Sequence, residues 1–578
     1  MILYHPATVT QPNSPYQGIQ AMIDFQRYLL IAAVAALSLM LLVEWQKFET
    51  PNTSAPVVSN NSNADAAPTT SSDSGEFPAI VRNDDISTVD AANTSNAKYI
   101  SVQTDVLDLK IDLQGGDIVY AGLPAYTSSL ESDDPFVILE NNDVRHYIAQ
   151  SGLIGANATD TSKGRPYFSA ASAEYNLDES SDSLNVDLHY QYSDTITIVK
   201  RFKLSRGEYL INVEYLIDNQ SDAPFQASFF GQLKRGNSAD PSVNDKGGMF
   251  AMKPFIGVAY ATNEDLYKKT TFSKMQDKPI KASVNGGWIG VVQHYFVSAW
   301  VPPVDSVNEL STIVTKQDMN IARVTSAAVT IAPKSQGKIS ADFYTGPKDQ
   351  YSLQEISPGL ELTVDYGWLW WIAQPLFWLL TKIHSVLGNW GFAIIGVTIL
   401  VKAAFFQLNQ KAFTSMANMR KFQPKLAEIK ERYADDRQKQ SQAMMELYKK
   451  EKINPLGGCL PMVVQMPVFI SLYWVLMESI ELRHAPFMLW IHDLSAMDPY
   501  FVLPLIMGLS MFIQQRLNPP PPDPMQAKIM QWMPIVFTFF FLFFPAGLVL
   551  YWVVNNTLSI IQQYIITKRI EKSGLPTR

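Results

Sequence analysis

Residues 390–408 form an apolar run whose only formal charge is Lys402. If the run crosses a bilayer, Lys402 lies about 18 Å in, at ~1.5 Å per residue, with a short apolar stretch still beyond it. Two readings compete. A lysine near the end of a span can snorkel, its stem in hydrocarbon and its ammonium in the headgroups. The alternative is a wet cavity inside a helix bundle, the usual place for an intramembrane charge, where the chemistry on offer is attraction of an anionic segment. Thr398, one turn earlier, falls on the same helix face. A second apolar stretch, 547–567, carries Tyr551, Trp552, Asn555, Asn556, Thr557, Ser559, Gln562 and Gln563. Polar residues of this kind commonly hold helices together; a run this rich, opposite an intramembrane lysine, fits a polar groove. The long apolar stretches hold no acidic residue in their middles, and Glu478 stands at the end of its own. The pattern contains no Walker A loop, no zinc-spaced Cys/His set and no nucleophile elbow, so no enzyme activity, nucleotide hydrolysis, metal or cofactor is expected.

The elements that must position these residues follow from composition. The 578 residues exceed one compact domain, and the chain is electrically split. Residues 44–367 hold 41 acidic and 25 basic side chains, whereas residues 402–578 hold 12 and 19. An acidic middle and a basic, apolar end indicate two compartments. The only cysteine is Cys459, which excludes an intramolecular disulfide.

Residues 28–43, behind Arg27, read as an uncleaved anchor rather than a signal peptide, because no small-x-small site or lipoprotein cysteine follows. The stretch before Met22 has the character of neither targeting signal nor fold, and Met22 is an alternative start. Residues 50–98, rich in Ser, Asn, Ala, Asp, Thr and Pro, read as a disordered tether. Residues 99–362 turn to short alternating or β-branched runs broken by Gly, Asn and Asp, for example 106–113, 195–204 and 209–217; this spacing predicts a large all-β sandwich. Within 363–389, the Trp-rich run 368–380 is too short for a span and reads as a helix lying in the membrane interface. Five stretches are then long enough to cross: 390–408, 459–477, 500–514, 529–544 and 547–567. With the anchor at 1–49 they make six transmembrane helices, five of them in the segment 390–578. The loop 411–452 has 11 basic and 6 acidic residues and the tail 568–578 has 4 and 1, so both belong in the cytoplasm. That places both termini inside and the acidic β domain outside. Apolar positions Phe413, Met416, Met419, Phe422, Leu426, Ile429 and Tyr433, then Met444, Met445 and Tyr448, predict a cytoplasmic helical hairpin. It is either a spacer with a solvated basic face or a docking site for ribosomes or nascent chains, basic surface also attracting anionic membrane lipid.

Three stretches carry a family resemblance. They are Asn454-Pro455-Leu456-Gly457-Gly458-Cys459-Leu460-Pro461 with Gln465-Met466-Pro467-Val468-Phe469; Met525-Gln526-Ala527-Lys528-Ile529-Met530; and Phe544-Pro545-Ala546-Gly547-Leu548-Val549-Leu550-Tyr551-Trp552. Together with Ile491-His492-Asp493-Leu494, they resemble the YidC family of membrane protein insertases over residues 365–575. The anchor, tether and acidic domain are similar to its Gram-negative branch. The resemblance implies an inner-membrane insertase and chaperone for nascent integral membrane proteins, acting alone or with the Sec translocon. It implies a polytopic α-helical membrane protein with a five-helix core and a periplasmic β-supersandwich of the sugar-mutarotase type. It further implies a hydrophilic groove, closed on the periplasmic side, in which an arginine attracts the polar or acidic segment of the client. Lys402 occupies that position here, keeping the charge and losing the planar fork that grips a carboxylate bidentately. The groove set is then Lys402, Thr398, Gln465, Tyr551, Trp552, Asn555 and Asn556. Phe469, Tyr473 and Met477, with Phe537, Phe541 and Phe544, could supply a greasy slide for the client's span; ordinary packing serves equally well for any one of them.

Two other classes remain to be separated. Mutarotase-like sandwiches can be catalytic, and the β region offers His146, His189 and His294, but fold does not imply function. A transporter would call for an inverted repeat or paired broken helices, and the sequence shows neither.

Overall fold

The computed structural model describes residues 98–161, 164–241, 254–434, 436–451, 460–518 and 524–573. The anchor at 28–43, Cys459 and all of the tether except its last residue lie outside the described residues.

Alternating residues become strands wherever one face can be buried. Ile196–Ser205 and Leu210–Asn219 pair antiparallel with Phe202 opposite Val213. Their inward residues Ile198, Phe202, Leu204, Ile211, Val213, Tyr215 and Ile217 are buried. Gly207 turns between them at φ +74°, its N–H held by the Asp105 carboxylate. The run at 106–113 contains the strand Asp108–Asp112, and Gly115 and Gly116 beyond it both take positive φ. Gly116 is also a close approach, because a Cβ there would stand 2.8 Å from the Lys200 side chain. That lysine is fully buried and donates to the Gly115, Gly116 and Ser151 carbonyls at 2.9, 2.8 and 3.2 Å. Among the described residues two sheets result, of eleven and nine strands, and one core draws on both.

The chain leaves this sandwich from the interior of the nine-stranded sheet. Strand Ser335–Pro347 lies between Phe296–Val301 and Leu210–Asn219, and the next residue, Lys348, already touches the helical part. Its ammonium sits 2.8 Å from Glu478 Oε2, both side chains almost wholly buried, and also donates to Thr363 O. Around this pair His294 Nε2 lies 2.9 Å from Met477 O, and Arg483 donates to Thr127 O at 2.7 Å while stacking on Phe136 and Phe296. Ile480 belongs to the sandwich core itself.

The helices follow: α1 Trp370–Leu387, α2 Trp390–Ala404, α3 Phe406–Lys421, α4 Gln423–Arg432, α5 Arg437–Lys450, α6 Leu460–Glu478, α7 Val502–Leu517, α8 Pro524–Phe541 and α9 Ala546–Ser573. On α1, Ala373, Leu376, Phe377 and Leu380 are buried, while Trp370, Trp371 and Trp378, with Trp368 just before the helix, are mostly exposed. Gly388, at φ +66°, closes it by donating to His384 O. The basic segment folds back on itself: α4 and α5 meet at Leu426 and Tyr448, with Met419, Phe422, Met444 and Met445 around them. Pro424, in the first turn of α4, cannot donate a backbone hydrogen bond, which accounts for the break from α3.

Among the described residues no single helix is long and apolar enough to cross a membrane. Helix α2 and the first part of α3 reach that length together, but meet at a bend of 67°. Shorter apolar helices cover Val463–Glu478, Val502–Leu517 and Ala527–Phe541. The straight stretch expected over 390–408 is thus two pieces, and Lys402 stands two residues before the first one ends. The bend at Phe405 uses neither Pro nor Gly. The Gln562 side chain of α9 donates to Phe406 O at 3.2 Å, taking a backbone acceptor at the bend.

The junction generates two stability predictions. Lys348→Met strands the Glu478 carboxylate in a buried site and should cost about 3–5 kcal/mol, read as a lower apparent melting temperature in detergent. The double replacement Lys348→Met/Glu478→Leu should recover most of it; equal losses in single and double variants would contradict a coupled pair. Beside them, Glu481 has a sealed, unbonded Oε2, and burial pushes its carboxyl up to about 7, with Asp349 adding in the same direction. Tyr126 and Tyr366 are the other titratable groups sensing that charge. A raised carboxyl favours the fold while protonated, so the contribution is whole below the ordinary value of 4.5 and is lost as pH rises through about 7. Glu481→Gln should therefore raise the melting temperature at pH 8, by ~1–3 kcal/mol in stability, and leave it unchanged near pH 4. A gain of the same size at both pH values would show that charge is not the cause.

Candidate functional site

The polar contacts of the helical part converge where α2, α6 and α9 meet. Helix α2 is set at its start by Asn389, whose Oδ1 accepts from Phe392 N while its Nδ2 donates to Pro486 O and Phe487 O. At the second residue of the helix, a Cβ on Gly391 would lie 2.0 Å from the Phe487 ring, so only glycine lets the loop pack this closely. The same loop is tied by Asp493, whose Oδ1 accepts from His484 N and Ser495 N.

At the far end of α2 the half-buried Lys402 donates to Ser559 Oγ at 2.8 Å and to Gln465 Oε1 at 3.4 Å. Gln465, on α6, uses its amide nitrogen on Asn555 Oδ1 and on Tyr551 OH, the latter at 3.4 Å. Lys402, Gln465, Asn555, Tyr551 and Ser559 are therefore one network. Among the described residues Lys402 makes no ion pair. Thr398 is buried, its hydroxyl donating to Ile394 O at 2.6 Å within its own helix.

The structure parts residues that the sequence grouped. Asn556 turns away from Asn555 and donates to Ser510 Oγ on α7 at 3.1 Å. Gln563 faces α7 as well, donating to Leu517 O and Asn518 Oδ1. These two join helices and stand apart from Lys402, as adjacent helix positions about 100° apart require. Trp552 packs against Phe469 and Phe541 at ring distances of 5.0 and 5.5 Å, its Nε1 buried without a partner. Tyr473 and Phe541 are likewise buried: Tyr473 meets Phe544 at 5.8 Å, and Phe537 meets Phe541 at 6.2 Å. Met477 is partly buried against the same cluster. The outward positions are instead Val463 and Met466 on α6, and Ile529, Trp532, Ile535, Val536 and Phe539 on α8.

Ser559 is the residue of this site that reading by type leaves inconspicuous, one hydroxyl in a polar run. Its spacing of four from Asn555, which puts both on one face of α9, is the signal that finds it. The three β-domain histidines stand apart: His146 beside Asn141, His189 exposed on its strand, and His294 committed to the junction.

A large β-sandwich joined to a helical part with an internal lysine network defines a two-part class of protein, sandwich and helical bundle in one chain. The YidC periplasmic domain family matches residues 99–379, and the 60Kd inner membrane protein family matches residues 382–573. The membrane protein insertase YidC of Cellvibrio japonicus (strain Ueda107) is 51% identical over 552 residues, covering 95% of this chain and 99% of that protein. That of Stutzerimonas stutzeri (strain A1501) is 50% identical over 564 residues, covering 96% and 100%. A solved structure of an active YidC insertase with its first transmembrane domain resolved matches 82% of this chain and 93% of its own length, at 17% identity and a TM-score of 0.37. The chain belongs to the YidC family of membrane protein insertases.

Proposed function

We propose that this protein inserts integral membrane proteins into the inner membrane, drawing the polar or acidic segment of a client toward Lys402 in a groove between α2, α6 and α9. The carrying observation is the Lys402 ammonium, held by neutral oxygens of Ser559 and Gln465 rather than by a carboxylate. A cation solvated this way keeps its charge available to a partner from outside. Family membership supports the activity, and the network supports the route.

The step needs no nucleotide. Burying an apolar span in lipid is downhill, and the barrier is moving polar backbone through hydrocarbon, where each unsatisfied group costs several kcal/mol. A groove lined by Gln465, Asn555, Tyr551 and Ser559 shortens the dry distance. The span then leaves along the apolar faces of α6 and α8. In this reading α2 with the start of α3, α6, α7, α8 and α9 are the five core spans, and the stretch at 28–43 is the sixth. The exposed tryptophans of α1 lie in the outer interface. The exposed Lys425, Arg432, Lys439, Lys449 and Lys450 of the hairpin face the cytoplasm and suit a ribosome or nascent chain. The Sec translocon is the natural neighbour for larger clients.

The groove charge has a direct test. Two opposite charges ~4–6 Å apart at an effective dielectric of ~20 attract by about 3–4 kcal/mol before desolvation. Losing half of that slows a rate-limiting entry by more than about tenfold. Lys402→Arg should work, Lys402→Ala should fail for clients with acidic translocated tails, and Lys402→Glu should fail more severely. Clients with neutral tails are the control. Insertion is measured by protease protection at equal expression; wild-type insertion of an acidic-tailed client by Lys402→Ala would sink the mechanism. The topology is tested separately. Cysteines at Ser441 and Gly574 should resist a membrane-impermeant thiol reagent in intact cells, and one at Ser181 should react once the outer membrane is opened. Labelling of position 441 from outside would overturn the arrangement.

A further inference from the structure

We propose that Ser559 is a positioning residue that holds the Lys402 ammonium inside the groove and thereby sets the preference for acidic client segments. The inference rests on the groove-charge reading above and adds to it the group that keeps the charge in place.

The geometry is specific to an ammonium. Ser559 Oγ donates its own proton to Asn555 O, one turn back on α9, at 2.8 Å. With its one donor spent, the hydroxyl can meet Lys402 only as an acceptor, and it does so at 2.8 Å. It is 4% exposed, so water competes poorly for its lone pairs. Gln465 is arranged to the same end. Its amide nitrogen bonds Asn555 Oδ1 and Tyr551 OH, which turns Oε1 toward Lys402 at the longer distance of 3.4 Å. An ammonium carries three N–H donors. Two are directed to Ser559 and Gln465, and among the described residues the third meets no partner. That third donor is the one a client carboxylate can take.

A lysine needs such a holder more than an arginine does. Its stem is flexible and its charge is a compact point, so an unrestrained Lys402 lowers its energy by reaching for headgroups. The Ser559 acceptor gives the ammonium a competing site inside the bundle.

The test uses the full chain in proteoliposomes, with one acidic-tailed and one neutral-tailed client, and reads initial insertion rates. Ser559→Ala should slow the acidic-tailed client by about tenfold and the neutral one by less than about twofold, a hydrogen bond to a charged group being lost. Ser559→Thr, which keeps the acceptor, should restore the acidic client. In a Lys402→Ala background Ser559→Ala should change nothing further. If Ser559→Ala does not accumulate, Ser559→Thr against Ser559→Val, alike in shape and different in the hydroxyl, makes the same comparison. Equal slowing of both clients, or independent losses in the double variant, would reveal a merely structural serine and overturn the proposal. So would wild-type rates for Ser559→Ala where Lys402→Ala fails. Wild-type rates for Lys402→Ala itself would be a different failure, removing the groove-charge reading and this proposal with it.

Discussion

A cation in a low-dielectric bundle has to be solvated by something, and what solvates it decides what it can do. A carboxylate would neutralise Lys402 and remove the charge on which the proposed route relies, while bare hydrocarbon would drive it to the headgroups or strip its proton. The chain takes a third course: neutral oxygens from two helices, with Ser559 and Gln465 each locked by a bond to another member of the network. The arrangement constrains three helices at once. Helix α2 must end near Lys402, α9 must present positions 551, 555 and 559 on one face, and α6 must bring Gln465 between them. The bend after Ala404 and its carbonyl contact with Gln562 belong to the same constraint, because they fix where α2 stops relative to α9.

Much of this was legible because it is periodic. Alternation marked strands at 196–205 and 210–219 within a residue or two of the residues expected, and three- and four-residue steps marked the hairpin that closes on Leu426 and Tyr448. The lone charge at Lys402 and the polar run after Tyr551 pointed at each other without any geometry. Type and period fail where facing matters. Asn555 and Asn556 are the same residue in the same run, yet one accepts from Gln465 beside Lys402 and the other donates to Ser510. The break at Phe405 carries no proline or glycine, and Gln562, which bonds the next carbonyl, lies 156 residues from Phe406. The Lys348–Glu478 pair spans 130 residues and joins a strand end to a helix end, so no local pattern announces it.

That pair alters how the β domain relates to the helices. A tether followed by a sandwich reads as a detachable module, but the last strand comes from the middle of a sheet and delivers Lys348 into the end of α6. Met477 and Ile480 make their contacts with sandwich residues, not only with helices. The sandwich therefore fixes one end of the helix that carries Gln465, Phe469 and Tyr473. Any shift of α6 against α9 must either carry the sandwich along or strain a buried ion pair.

The two halves of the proposed route make different demands on a client. Near Lys402 the network is polar, and a segment entering there must return a hydrogen bond for each one it displaces, or leave buried groups unsatisfied at about 1–3 kcal/mol apiece. On that route the outward faces of α6 and α8, with Val463, Met466, Ile529, Trp532, Ile535, Val536 and Phe539, let a passing span exchange apolar contact for apolar contact, while Tyr473, Phe541 and Phe544 stay packed behind them. In the proposed route, selectivity belongs at the network and tolerance at the outward apolar faces. An insertase serving many unrelated spans needs that division, since apolar sequence varies freely among clients while the charge of a translocated tail is the property a single fixed ammonium can sense.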